Sequence, residues 1–262
     1  MSGAADDGAG PRATAGPAAA RARAASRPVA LVTGAGRGIG RATAEAFAAA
    51  GWAVVIAELR PALGRRVARA LARAGTPALF VRTDVAQPRA AERAVRAALT
   101  RFGRLDCVVN NAGVLTPGPL AGLALRDLER MLAVNLRGPL LVSRAALRAV
   151  GRAPTAGAPR SIVNVASQLG KHGLGEYVTY CATKFGVVGL TAALADELAG
   201  TGWRVWAVCP GLVDTDMARR VVGVGPRERA GLIRPESVAR AIVGLATGRR
   251  RAPSGAAVDV LR

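Results

Sequence analysis

Short apolar segments alternate with amphipathic segments of helical periodicity along most of the chain. Strands are predicted at 29–33, 53–57, 78–82, 106–110, 161–166 and 203–208, and helices at 39–50, 61–74, 88–101, 125–150 and 177–200. A weaker helix near 235–246 and a candidate last strand at 256–260 follow. Strands separated by helices are typical of βαβ units, in which the strands are parallel and buried on both faces. We therefore predict one α/β domain over 28–262, with a doubly wound parallel sheet of about seven strands.

The N-terminal segment, the apolar runs and the cysteines indicate the cellular compartment in which this domain works. Residues 1–27 are mostly Ala, Gly, Pro and Arg, so we expect a disordered tail. No run of about 18 apolar residues predicts a membrane span, and no apolar segment after a basic start indicates a signal peptide. Cys107, Cys181 and Cys209 are dispersed and His172 is the only histidine. This pattern favours reduced thiols, a cytoplasmic protein and no metal site.

A net charge of +20 raises the hypothesis of a nucleic-acid partner. However, 35 of the 37 cationic residues are arginine, and Arg65, Arg69 and Arg73 fall on one helix face opposite Val67 and Leu71. Such a pattern is typical of the solvated face of an amphipathic helix. Aromatic residues make up only 3% of the chain, so no stacking surface for bases is predicted. We expect no nucleic-acid partner and no membrane partner.

A glycine-rich segment joins the first predicted strand to the first helix. It reads Thr33-Gly34-Ala35-Gly36-Arg37-Gly38-Ile39-Gly40. Glycines there let the backbone approach a pyrophosphate, and the helix N-terminus offers amide donors. Glu58 ends the second strand, where a carboxylate would bind the adenosine ribose and repel a 2′-phosphate, whereas Arg37 and Arg60 would attract that phosphate. We predict NAD as the cofactor, with NADP as the alternative.

Tyr180 and Lys184 stand four residues apart in a chain that has only two tyrosines and two lysines. On a helix this spacing places both side chains on one face, roughly 6 Å apart. An ammonium group at that distance stabilises a phenolate, so we expect it to lower the pKa of the tyrosine toward the working range of a general acid or base.

Taken in order, these motifs resemble the short-chain dehydrogenase/reductase family from Pro28 to about Met217. The resemblance implies a Rossmann-type fold, hydride transfer with NAD or NADP, a small-molecule alcohol or ketone substrate, and a homo-oligomer, either dimer or tetramer. The cofactor-binding residues that the motifs and the resemblance together predict are Thr33, Gly34, Arg37, Gly38, Ile39, Gly40, Glu58, Asp84, Val85, Asn111, Ala112, Gly113, Tyr180, Lys184, Pro210, Gly211, Val213 and Thr215.

The same resemblance assigns a catalytic tetrad of Asn135, Ser167, Tyr180 and Lys184. Ser167 would hold the substrate carbonyl while Tyr180 exchanges a proton with it. Lys184 would lower the pKa of Tyr180 and bind the nicotinamide ribose, and Asn135 would anchor a water. Ser167, Tyr180 and His172 are the predicted substrate contacts, with His172 as part of the pocket wall.

The substrate is the least determined part of the prediction. Segment 212–234 is expected to cover it, because long irregular insertions often act as lids. The leading hypothesis is an NAD-dependent secondary alcohol dehydrogenase or ketone reductase. The alternatives are an NADPH-dependent 3-oxoacyl-[acyl-carrier-protein] reductase and, from another class, a non-catalytic dinucleotide sensor or nucleic-acid-binding protein. The C-terminus departs from the Val-Asp-Gly-Gly ending that many family members carry, which puts the last strand and one tetramer contact in doubt.

Overall fold

The computed structural model describes residues 27–151, 160–223 and 231–261, and its strands form a single sheet. The strands are β1 (Val29–Thr33), β2 (Ala53–Glu58), β3 (Ala78–Arg82), β4 (Cys107–Asn110), β5 (Arg160–Val165), β6 (Trp203–Pro210) and β7 (Ala257–Val260). They lie in the order β3-β2-β1-β4-β5-β6-β7, and every neighbouring pair is parallel. The predicted α/β class with a parallel sheet of about seven strands is confirmed.

Helices cover both faces of the sheet. On one face pack α1 (Gly38–Ala49), α2 (Pro61–Arg73) and α7 (Pro235–Ala246), and on the other α3 (Pro88–Phe102), α5 (Gly138–Val150) and α6 (Val178–Glu197), while α4 (Leu125–Met131) precedes α5. Successive residues of a strand point to opposite faces. Accordingly Ala30 and Val32 of β1 pack in one core with Phe47, whereas Val29 and Leu31 belong to the core on the other face. This alternation explains why β1 is a continuous apolar run.

Most predicted boundaries agree with the structure within two residues, and the clearest difference lies in the helix predicted at 125–150. There a π-helical segment, Leu132–Arg137, separates α4 from α5. Periodicity cannot distinguish a π turn from an α turn within one apolar pattern. The predicted helix 177–200 ends earlier, at Glu197, because Gly200 and Gly202 turn the chain with positive φ.

The doubtful last strand is present. Its residues Ala257–Val260 pair in parallel with the end of β6, and this pairing extends β6 to Pro210, two residues beyond its predicted end. The Arg-rich helices also behave as predicted, since Arg65, Arg69 and Arg73 are exposed while Val67 and Leu71 are buried.

Some predictions fall on residues outside the described ranges. These are the tail up to residue 26, positions 152–159 of the predicted loop, and positions 224–230 of the segment expected to cover the substrate. Among the described helices, α6 alone is long and apolar enough to cross a membrane. It packs on the sheet with Thr183, Lys184 and Thr191 buried, which is the position of a core helix. No group of three or more His, Cys, Asp or Glu side chains comes together within the three described ranges.

Candidate active site

The carboxyl ends of the strands surround a cavity of about 1040 Å³. Strands β1 and β4 are neighbours in the sheet, but the chain leaves them toward opposite edges, so a crevice opens between the segments that follow them. Ligands of open α/β sheets bind in such a crevice. The cavity here extends from the segments after β2 and β3 to those after β5 and β6.

Nearly all residues predicted for the site share this one cavity. Its wall includes Gly34, Arg37, Gly38, Ile39, Gly40, Glu58, Asp84, Val85, Asn111, Ala112, Gly113, Ser167, His172, Tyr180, Lys184, Pro210, Gly211, Val213 and Thr215. The two predicted site residues outside the wall are Thr33 and Asn135, and both are about 1% exposed. Residues far apart in the sequence therefore line one cavity, and two of the predicted site residues lie behind its wall.

Thr33 lies beneath the cavity, where it joins the ends of β1 and β4. Its hydroxyl donates to the Val109 carbonyl at 3.3 Å and accepts from the backbone amides of Asn111 and Ala112 at 2.9 and 3.0 Å. The side-chain amide of Asn111 donates a hydrogen bond of 2.8 Å to the Thr33 carbonyl. The Thr33 side chain therefore holds the two strand ends together, and the prediction that Thr33 binds the cofactor stays a prediction.

The glycine loop packs without room for side chains. A Cβ on Gly40 would lie 2.3 Å from the Gly34 carbonyl oxygen, and one on Gly34 would lie 2.9 Å from the Cα of Ala112. The first turn of α1 carries no acidic residue, and its N-cap residue Arg37 forms no side-chain capping bond. The amide donors at this helix N-terminus are therefore not used by capping side chains, which suits the binding of an anion.

Glu58 is fixed beside the glycine loop by the backbone. Its two carboxylate oxygens accept from the amides of Gly36 and Arg60, each at 3.0 Å, and the residue is 7% exposed. Each oxygen keeps a lone pair that a ribose hydroxyl can use. Arg37, which favoured NADP in the sequence, instead pairs with Asp216 at 3.1 Å across the cavity mouth.

Ser167 and Tyr180 form the proton-transfer side of the site. Ser167 follows β5, and its hydroxyl accepts from the Leu169 amide at 3.1 Å at the start of a 3₁₀ turn, Gln168–Gly170. Tyr180 lies in the first turn of α6. Burial raises the pKa of Tyr180 to about 12, and a hydrogen bond with Ser167 opposes that rise.

The pKa of Tyr180 therefore moves in the direction opposite to the prediction. The Lys184 ammonium lies 5.5 Å from the centre of the Tyr180 ring, but its nitrogen donates to the Val165 carbonyl at 2.8 Å. Lys184 is 5% exposed, and burial lowers its own pKa to about 8. Burial disfavours the charged form of both groups, so it favours the neutral phenol of Tyr180 and disfavours the ammonium form of Lys184.

Asn135 connects the catalytic helix to the loop after β4. It lies in the π-helical segment, where its amide oxygen accepts from the Val114 amide and its nitrogen donates to the Val114 carbonyl, both at 2.8 Å. A longer contact of 3.4 Å reaches the hydroxyl of Thr183, which in turn donates to the Tyr180 carbonyl at 2.7 Å. Asn135 thus supports the site from behind its wall.

The end of the cavity near Ser167 is mostly apolar. Its wall includes side chains that sequence reasoning did not single out, namely Leu115, Leu169, Leu174, Tyr177, Leu212 and Met217. His172 also lies in the cavity wall, and so does the exposed cation Arg130. No motif marks these leucines, since any apolar side chain could serve. Tyr177 is the other tyrosine of the chain and lies three residues before Tyr180, so the sequence could have indicated its place in the wall.

The segment after β6 begins with a turn that is hydrogen-bonded to β7. The Gly211 amide donates to the Val260 carbonyl at 3.1 Å, and Val213 forms an isolated parallel bridge with Ile233. Thr215 faces the glycine loop, because a Cβ on Gly38 would lie 3.2 Å from its methyl group. The two ends of the predicted covering segment are therefore joined to each other and to β7.

These residues fit a nicotinamide dinucleotide. The uncapped N-terminus of α1 suits the pyrophosphate and Glu58 suits a ribose, while the glycines let the loop pack closely against Asn111 and Ala112 beside the cavity. Lys184 and Tyr180 stand at the opposite end, next to the apolar wall.

Comparison with known proteins gives consistent results. Residues 28–223 match the sequence model of the family described as short chain dehydrogenase. D-threitol dehydrogenase of Mycolicibacterium smegmatis is 36% identical over 199 residues, covering 76% of this chain and 75% of that protein. A 3-oxoacyl-[acyl-carrier-protein] reductase of Synechocystis sp. is 37% identical over 225 residues, covering 84% and 89%. The structure of 3-ketoacyl-(acyl-carrier-protein) reductase from Brucella melitensis complexed with NADH superposes with a TM-score of 0.79 at 32% identity, covering 89% and 96%.

Proposed function

The chain belongs to the short-chain dehydrogenase/reductase family of oxidoreductases, and from that premise we propose that it interconverts a secondary alcohol and a ketone with NAD as the preferred cofactor. Tyr180 is the general acid and base, Ser167 holds the substrate oxygen, and Lys184 supports the charge that develops on Tyr180. The proposal includes a cytoplasmic homo-oligomer that binds neither nucleic acid nor membrane.

One observation carries this proposal: Ser167 and Tyr180 lie together in the wall of the same cavity that the glycine loop and Glu58 line, and the Ser167 hydroxyl opposes the rise in the pKa of Tyr180. A hydroxyl pair of this kind offers two contacts to a single oxygen atom. Both groups come from segments at the carboxyl edge of the sheet, where the fold binds its ligands. A dinucleotide sensor would need the glycine loop but not this pair.

The side chains suggest how the proton moves. A nicotinamide cofactor held in this cavity would supply the hydride in reduction and accept it in oxidation. In reduction, Ser167 holds the carbonyl oxygen and the neutral Tyr180 hydroxyl donates its proton to that oxygen. The phenolate that remains is stabilised by Ser167 and by the ammonium of Lys184. In oxidation, Tyr180 must first lose its proton, so the oxidation rate should rise with pH as the phenolate fraction grows, because burial raises the pKa of Tyr180.

The NAD preference rests on charge at the ribose end. A 2′-phosphate would meet the buried Glu58 carboxylate, and Arg37, one of the two cations that favour it, is paired with Asp216. The other cation, Arg60, lies in the cavity wall, so the preference rests on the Glu58 charge outweighing it. The apolar wall near Ser167 favours a substrate whose substituents are hydrocarbon rather than charged.

The test is steady-state oxidation of a panel of apolar secondary alcohols, both cyclic and linear, by the purified full chain with NAD or NADP. We expect turnover with NAD and a lower kcat/KM with NADP. Equal or higher kcat/KM with NADP contradicts the cofactor preference. If no alcohol is oxidised and no ketone is reduced, the proposed reaction is wrong.

A second candidate function is NADPH-dependent reduction of 3-oxoacyl groups attached to an acyl carrier protein. The exposed Arg130 at the cavity edge favours it, because carrier proteins present acidic surfaces to their enzymes. The likeness to the Synechocystis reductase adds support. Reduction of a carrier-linked thioester at a much higher kcat/KM than the matching free thioester would favour this function over the first.

A further inference from the structure

Three side chains, Gln168 and Lys171 of the turn after Ser167 and Asp259 near the C-terminus, join three separate segments of the fold. The Gln168 amide donates to the Cys209 carbonyl at 3.0 Å and to Asp259 Oδ1 at 2.7 Å. The Lys171 ammonium donates to the same Asp259 oxygen at 2.5 Å and to the Ala257 carbonyl at 2.9 Å. Gln168 and Lys171 belong to the turn after Ser167, Cys209 to the end of β6, and Asp259 to β7.

These bonds begin where the sheet stops supporting the Ser167 segment. The last paired residues of β5 and β6 are Val165 and Val208, and one further backbone bond of 2.8 Å joins Ala166 to Val208. Beyond that point β6 continues without β5 and stays paired with β7 on its other edge, where Asp259 stands opposite Cys209. The Gln168 side chain therefore replaces the missing backbone pairing and reaches across both remaining strands.

The turn is also pressed against the catalytic helix. A Cβ on Gly170 would lie 2.7 Å from the Lys184 carbonyl oxygen, so the turn has little room on that side. On its other side, beyond the Ala166–Val208 backbone bond, the bonds donated by Gln168 and Lys171 hold the turn to β6 and β7. Loss of these bonds would let the turn move away from α6 and carry the Ser167 hydroxyl with it.

We propose that Asp259 is a positioning residue, which acts through Gln168 and Lys171 to hold the Ser167 hydroxyl against Tyr180. The proposal rests on the proposed function, since it concerns the orientation of the residue that holds the substrate oxygen. The turn after Ser167 and the final strand lie about 90 positions apart in the sequence, and these bonds hold them together. The final strand thereby influences the proton transfer through the position of Ser167.

A merely structural ion pair would behave differently. Asp259 and Lys171 are partly exposed, and exposed pairs contribute little to stability. A displacement of a reacting group by about 1 Å, in contrast, can cost up to roughly a hundredfold in rate. Turnover and its pH dependence should therefore change more than the melting temperature does.

The experiment compares Asp259→Ala and Asp259→Asn in the full-length protein. Asp259→Ala removes the acceptor of both Gln168 and Lys171, and we expect kcat for alcohol oxidation to fall about tenfold. The rise of kcat with pH should also shift to higher pH, because a weaker bond with Ser167 no longer opposes the high pKa of Tyr180. Asp259→Asn keeps the acceptor oxygen and should recover most of the turnover. Glu45→Ala, which breaks the exposed Arg41–Glu45 pair, is the matched control and should change neither quantity.

A second measurement does not depend on activity. Hydrogen–deuterium exchange of peptides covering 166–172 should be faster in Asp259→Ala than in the wild type and in Glu45→Ala. Unchanged exchange, or an unchanged kcat and pH profile with only a lower melting temperature, would overturn the proposal. If the wild type oxidises no alcohol, the proposed function fails, and the exchange measurement still decides whether Asp259 holds the turn.

Discussion

The two ends of the cavity are built in different ways. At the ribose and pyrophosphate end, the groups are fixed by backbone: Glu58 accepts from two amides, and Asn111 and Thr33 bind the strand ends to each other. At the substrate end, the wall consists of side chains on turns, and Leu174 and Leu212 are about half exposed. Backbone-held groups tolerate almost no substitution, whereas an apolar side-chain wall can be rebuilt one residue at a time.

This difference explains why the cofactor end carries recognisable motifs and the substrate end does not. A group that must accept a bond from a given backbone amide, or leave room for a given carbonyl, has few possible identities. An apolar wall needs only volume and hydrophobicity. We therefore expect substitutions at the first end to affect all substrates equally, and substitutions at the second to discriminate among them.

The largest effect is expected where the two ends meet, at Tyr180. Tyr180→Phe removes the proton donor while keeping the ring, so kcat should fall about a thousandfold. NADH binding, followed by fluorescence, should remain. Tyr177→Phe is the comparison variant: it lies in the apolar wall, so we expect it to alter KM more than kcat. Unchanged turnover in Tyr180→Phe would remove this residue from the mechanism.

A substitution of Gly40 tests the backbone-built end. Gly40→Ala places a Cβ 2.3 Å from the Gly34 carbonyl oxygen and 2.4 Å from the Asn111 amide nitrogen, so the loop must shift. We expect NADH affinity to fall by about thirtyfold and the melting temperature to decrease. Gly189→Ala on α6 is the control, because a Cβ there meets nothing within 4 Å and alanine favours a helix. Wild-type affinity in Gly40→Ala would mean that the loop is not tightly fixed.

The charge of Glu58 is expected to decide between the two cofactors. Glu58→Ala removes the carboxylate that would repel a 2′-phosphate, so the ratio of kcat/KM for NADP to that for NAD should rise about tenfold, equivalent to about 1.4 kcal/mol. A further Asp216→Asn substitution frees Arg37 from its ion pair and should increase the ratio again. The measurement is the pair of kcat/KM values for one alcohol. An unchanged ratio would show that selectivity resides elsewhere.

The smallest effect is expected at the apolar wall. Leu212→Ser should raise KM for a bulky apolar alcohol by about fivefold and change KM for NAD less, because the lost side chain is an apolar part of the cavity wall. A small alcohol such as 2-propanol serves as the internal control, since it should be affected less. If KM for NAD rises as much as KM for the alcohol, the two ends are not independent.

Much of this molecule could be predicted from its sequence. The alternation of strands and helices, the glycine loop, Glu58 and the Tyr180 to Lys184 spacing all depend on local rules of backbone geometry and charge. The family resemblance added Asn135 and Ser167, and the fold brings both close to Tyr180.

Other features depend on contacts between distant segments, which one sequence does not reveal. The pKa of Tyr180 rises because the surrounding fold buries it, although the neighbouring lysine suggested the opposite. Thr33 lies behind the wall because β4 covers it. The pairing of Asp259 with Lys171 joins residues 88 positions apart, and no periodicity connects them. The π-helical segment around Asn135 has the same apolar pattern as an ordinary helix.

That π-helical segment fixes the rotational register of everything that follows it in the same helix. One residue more than an α turn requires advances the chain by about 100° around the helix axis. Ser143, eight positions beyond Asn135, faces the core only in this register, where its hydroxyl accepts from Asn110 at 3.0 Å. Deleting a single residue from Leu132–Arg137 would therefore rotate α5 by about 100° about its axis. Its apolar stripe would no longer face the sheet, and the core packing of α5 would be lost far from the catalytic residues.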